Sequence, residues 1–236
     1  MKQQGVSVNN NRIGHSRYLM VYGILGYTLC FIADMILEYL PNGWLDLDSL
    51  LDINKAGEIF KGTSSERFAI SGVLGVFSMI FVTLGLVGVS EYVHMYSPIA
   101  SELTLVGGVG SSVHSAGYHI ICTLMPWIFV SLNFTKEGFE VKEKFFNDHV
   151  LILKINPLFY MIFCFSLLYV VVAGKTPLPR WAAIFNIAFL FKALNYFKVS
   201  GASNIAGIIM SVGLFVLTGL YSSSKNGNKN NKKKAK

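Results

Sequence analysis

The sequence predicts an all-α fold, a polytopic bundle of six membrane-spanning helices with both termini cytoplasmic. Three observations predict it. Of the 236 residues, 53% are hydrophobic and only 14% charged, against about 25% charged in a soluble domain. Six stretches are apolar over the roughly 20 residues that a helix needs to cross the bilayer core. The charge is gathered at the two ends: residues 225–236 hold six lysines and no acid, and the head holds Lys2, Arg12 and Arg17 with no acid before the first apolar stretch. Such a composition excludes a disordered chain, a coiled coil and a self-contained soluble enzyme. The net charge of +7 forms no folded basic face, so nucleic acid is not an expected partner.

The predicted spans are 19–40, 68–90, 103–132, 150–173, 179–197 and 202–221. Only helices satisfy the backbone of such stretches in lipid; barrel strands would be shorter and would alternate polar with apolar residues. The first span follows a basic head but carries Asp34 and Glu38 and has no small-residue cleavage site, so it is read as retained. The third is long, with Pro126 near its end, which suggests a kink or an extension beyond the bilayer. Basic residues beside spans stay on the cytoplasmic side. That rule puts residues 1–18 inside as a basic tail, 222–236 inside as a disordered Lys/Asn-rich tail, and the acidic loop 41–67 outside. Within that loop, Leu47, Leu50, Leu51 and Ile59 recur among acids and suggest a short helix on the outer surface.

Ionisable residues inside spans are costly and therefore mark candidate sites. Placed by depth, they fall toward the outer half: Asp34 and Glu38 late in span one, Arg67 opening span two, His114 and His119 in span three, Lys192 and Asn195 late in span five, and Asn204 opening span six. Tyr27, Phe31, Asp34 and Glu38 share a helical stripe, which should face the bundle. Asp34 and His119 are the acid–base candidates, with His114 beside them. Glu38, Arg67, Lys192, Asn195, Asn204 and Tyr118 are the candidate substrate contacts. An ion pair of Arg67 with Asp34 or Glu38 is the structural alternative.

The two histidines of GGVGSSVHSAGYH (107–119) are five residues apart, about 140° around a helix. They cannot share one metal, and a metal would need ligands from other spans, such as Asp34; no metal ligands are assigned, and the sequence leaves the cofactor open. Cys30, Cys122 and Cys164 show no paired spacing and read as small buried hydrophobes. No GxSxG, P-loop or GxGxxG motif occurs. Gly107/Ser111, Gly108/Ser112 and Ser203/Gly207/Ser211 follow small-xxx-small spacing, suited to close packing with another helix, a second copy or a membrane partner.

FIADMILEYLP closing span one, ERFAISGVLG opening span two, LPRWAAIFN opening span five and GASNIAG opening span six together resemble small six-span bacterial membrane proteins of unknown function. The resemblance implies a six-helix fold and a bacterial cytoplasmic membrane, and no activity. The chain differs from the membrane hydrolases related to alkaline ceramidases, whose last span carries HxxxH; here the last spans have no histidine. The expected function is an outward-facing polar pocket within the membrane, serving an enzyme or binding protein for a lipid or small amphipathic molecule. A proton- or cation-coupled transporter and an accessory subunit are the alternatives.

Overall fold

A computed structural model of the chain describes residues 10–45, 47–50 and 52–234. The chain is almost wholly helical. α1 (Asn10–Glu38) leads into a two-residue antiparallel ribbon, β1 (Tyr39–Leu40) with β2 (Gly43–Trp44). Two short helices follow, α2 (Leu47–Leu50) and α3 (Ile53–Phe60). Then come three long helices, α4 (Ser65–His94), α5 (Pro98–Ser131) and α6 (Lys136–Val172). A 3-10 turn (Arg180–Phe185), α7 (Ile187–Tyr196) and α8 (Ala202–Lys234) complete it.

Five of these helices are long and apolar enough to cross a membrane, and the chain has the build of an integral membrane protein. Neighbours pack in the order α8, α1, α4, α5, α6, and the 3-10 turn and α7 close the circuit between α6 and α8. Hydrogen bonds fix the antiparallel directions. Ser16 Oγ donates to Gly88 O (2.8 Å) and Ser71 Oγ to Ala33 O (2.7 Å), joining opposite ends of α1 and α4. Ser90 pairs with Ser101 across α4 and α5, and Thr104 with Ser166 across α5 and α6. Arg17 Nε donates to Phe215 O (3.1 Å), tying the start of α1 to α8. The α1–α4 seam is narrow because Gly23 faces Gly85 and Gly26 faces the Val82 backbone, where no side chain fits. Small residues at such crossings let two backbones touch without strain.

One end of the bundle is capped. Asp52 accepts hydrogen bonds from Asn54 N (2.9 Å) and Lys55 N (3.2 Å), the usual way to satisfy the orphan donors that start a helix, and so begins α3. Ala56 and Phe60 of α3 are fully buried against Phe68 and Phe129, inside a second apolar cluster separate from the main core.

Several bounds differ from the sequence reading. The short helix expected on the outer surface instead packs into the bundle end. Most of the gap between the third and fourth expected spans is the first part of α6: Thr135 caps it by accepting from Gly138 N (3.1 Å), and Phe139, Phe145 and Phe146 pack on the capping cluster. Lys142 reaches Leu50 O and lies over the Phe139 ring, so its charge did not prevent burial. α1 begins at Asn10, within the expected tail. α8 continues through Lys234, into the segment expected to be disordered; extending an existing helix costs little, and lysine is a good helix former. Most of the remaining head, residues 1–9, lies outside the described residues.

The fifth expected span is not one helix. Asn186 interrupts it, its Nδ2 donating to Cys164 O (2.8 Å) while its Oδ1 accepts from Ala188 N (3.1 Å) and caps α7. Ten residues of α7 rise only about 15 Å.

Candidate functional site

At the capped end the helices part around a cavity of about 750 Å³. α1, α4, α5, α6, α7 and α8 all contribute to its wall. Its floor is apolar and buried, with Met79, Val82 and Leu86 of α4. Exposure rises toward Trp44, Tyr118, Asn195 and Ser203, which places the mouth at the capped end.

α1 supplies four polar wall groups at helical spacing: Tyr27, Cys30, Asp34 and Glu38. Residues three or four apart share a helix face, and this face looks inward because α4 and α8 pack beside it and the His119 side chain of α5 reaches it. His119 of α5 meets them. Its Nε2 lies 3.0 Å from Cys30 Sγ, in hydrogen-bond contact, and its Nδ1 lies 3.7 Å from Asp34 Oδ1, beyond a direct hydrogen bond. Across the ring stands Gly75 of α4, where an added Cβ would come within 2.7 Å of the imidazole. Glycine is what lets α4 pass so close to the histidine.

α8 and the turn before it hold the carboxylates. Asn204 Nδ2 donates to Asp34 Oδ2 (2.6 Å), and Ser200 Oγ donates to Glu38 Oε2 (2.6 Å). Gly201, between them, has φ +62 and no room for a Cβ beside the Phe31 ring, so glycine is required at that turn. On the α6 side, Asn156 Nδ2 donates weakly to Ser115 Oγ (3.4 Å), and its buried Oδ1 has no hydrogen-bond partner among the described residues.

The structure brings together Asp34, His119, Glu38, Asn204, Tyr118 and Asn195 around this cavity. It places three other candidates elsewhere. His114 lies off the cavity wall; its Nδ1 donates to Gly110 O (2.8 Å) and its ring stacks on Phe159. Arg67 donates from Nε to Ile36 O (2.6 Å) and from its terminal nitrogen to Tyr39 O, neutralising the free carbonyls at the end of α1. Among the described residues it forms no ion pair with Asp34 or Glu38. Lys192 is an exposed residue of α7 outside the wall. A basic group near a span end has carbonyls as well as carboxylates to serve, and sequence depth does not tell the two apart.

Cys30 and Ser200 went unrecognised as site residues. The cysteine was legible in principle, since it stands four residues before Asp34 on the same stripe. Ser200 sits in a turn whose path depends on Gly201, and carried no periodic signal. Both small-residue faces are occupied within the chain: Tyr27 fills the space over Gly207, and the backbone at Phe163 lies against Gly107.

Over residues 1–226 the chain matches a family of unknown function, DUF6796, and it belongs to that family. No curated protein and no solved structure matches it.

Proposed function

We propose that this chain is a membrane-embedded protein that binds and chemically processes a lipid or small amphipathic molecule in the cavity at the capped end. The observation that carries the reading is the convergence of Cys30, Asp34, Glu38, His119 and Asn204 on one space of about 750 Å³. That volume lies in the range of small-molecule sites, which combine apolar walls with a few convergent polar groups. The unpartnered Asn156 Oδ1 adds to it, because buried acceptors are nearly always satisfied. His119 is the proton-transfer group, with Asp34 behind it and Asn204 fixing the carboxylate. Glu38 is a second carboxylate one turn nearer the mouth, and Tyr118 and Asn195 are polar contacts at the rim.

The same reading places the capped end outside and both termini inside a bacterial cytoplasmic membrane, with six crossings. α6 ends beside the start of α5, away from the cavity, whereas α8 starts beside Asp34. The segment between them therefore has to travel the thickness of the bundle, and the 3-10 turn with α7 makes the fifth crossing.

The test pairs Asp34→Asn with His119→Ala. The parent, purified in nanodiscs and incubated with a lipid extract of its host, should consume a species detectable by mass spectrometry. Each variant should be slowed about 10²–10⁴-fold, the usual contribution of an acid–base group, at unchanged expression. Parental turnover in both variants would overturn the assignment.

One observation favours a second reading. The break at Asn186 leaves a half-length helix against the cavity, and transporters place substrate at such discontinuities. Proteoliposome uptake driven by a pH or sodium gradient, without chemical change in the solute, would select transport instead.

A further inference from the structure

We infer that Cys30, Asp34 and His119 form a binding site for a divalent transition metal, with zinc the best fit, and that its open coordination position faces the cavity. The inference rests on the cavity assigned above and names the cofactor of that site; with the ion bound, His119 and Asp34 serve as ligands instead of as the proton-transfer pair. One ligand atom from each of the three residues lies within 4.8 Å of the other two. Sulfur, nitrogen and oxygen together are a set that zinc takes readily, at about 2.3 Å for thiolate and about 2.0–2.2 Å for imidazole and carboxylate. Tetrahedral bonds of those lengths put ligand atoms about 3.3–3.8 Å apart. A side-chain adjustment of roughly 1 Å thus closes the cluster on an ion.

Charge favours the same conclusion. A thiolate, a carboxylate and a neutral imidazole carry two negative charges, which one divalent cation cancels in a medium of low dielectric. Among the described residues, no lysine or arginine pairs with Asp34 to do so. The support around the ligands is also of the right kind. Asn204 holds Asp34 Oδ2, leaving Oδ1 toward the histidine, and partners of this sort orient metal ligands. Gly75 leaves the space that the ring occupies beside Cys30. Three protein ligands beside a cavity are the arrangement of catalytic rather than structural zinc, whose sites are closed by four.

The experiment is metal analysis of the full chain in detergent, followed by chelation and reconstitution with cobalt(II). About one zinc per chain is expected as purified. The cobalt form should show visible bands of tetrahedral intensity and a near-ultraviolet thiolate-to-cobalt band. Cys30→Ser should lose the thiolate band, His119→Ala and Asp34→Asn should lower metal content at least tenfold, and Cys164→Ser should change neither. Size-exclusion profiles check folding, and the conservative Cys30→Ser reads the sulfur ligand even if His119→Ala aggregates. Parent metal content no higher than that of His119→Ala, or a cobalt spectrum with no thiolate band, would overturn the site. An amphiphile retained equally before and after chelation, in a chain that takes up no metal, would sink the metal site while leaving the cavity reading standing.

Discussion

Gly75 and Asn204 show how much of the site depends on residues that do no chemistry. Gly75→Ala would drive a methyl group into His119. Overpacking of this kind costs about 1–3 kcal/mol. The expected result is a lower melting temperature in detergent together with weakened metal binding, since the ring must leave Cys30. A variant that melts lower but binds metal like the parent would show that the contact matters to packing alone. Asn204→Leu removes the donor to Asp34 Oδ2 while keeping much of the volume. Leaving a buried carboxylate oxygen unpaired costs about 1–3 kcal/mol, again read as a drop in melting temperature. Arg67 offers the contrast: Arg67→Met frees the Ile36 and Tyr39 carbonyls and should destabilise by a similar amount, yet spare the cobalt spectrum.

Among the elements, the long helices were legible because twenty apolar residues in a row have one solution in lipid, and five stretches behave that way. What escaped was set by tertiary contact. The charged first turns of α6 looked like a loop, since four acids and three lysines mask the three phenylalanines that dock on α3 and its neighbours. Nothing local to Asn186, inside the fifth expected span, says that a carbonyl of α6 lies beside it. The site was half legible for the same reason: depth gathered Asp34, Glu38, His119, Asn195 and Asn204, but rotation about each helix decided against His114 and Lys192. Asn186→Leu tests the break. It removes the cap of α7 and the side-chain bond to Cys164 O, for an expected loss of about 0.5–2 kcal/mol from the cap alone. An unchanged melting curve would mean that α7 does not need its cap.

For the whole molecule, the proposed crossing between α6 and α8 would put both termini on the same side of the membrane. With the fifth crossing counted, Gln3→Cys and Asn230→Cys should both resist an impermeant maleimide in intact cells and react after permeabilisation. Labelling of one end alone in intact cells would remove a crossing, and labelling of both would invert the orientation. The closed circuit of helices also has a consequence in time. α1 is made first, and Asp34 waits for Asn204, 170 residues later, to satisfy its second oxygen. At about 5–20 residues per second that is roughly 10–30 s of synthesis. Throughout that interval the newborn first helix holds two carboxylates whose donors Ser200 and Asn204 do not yet exist, so the expectation is that it stays at the insertion machinery until α8 arrives. Chains halted before Ser200 should stay bound there or be degraded, rather than pass into free lipid.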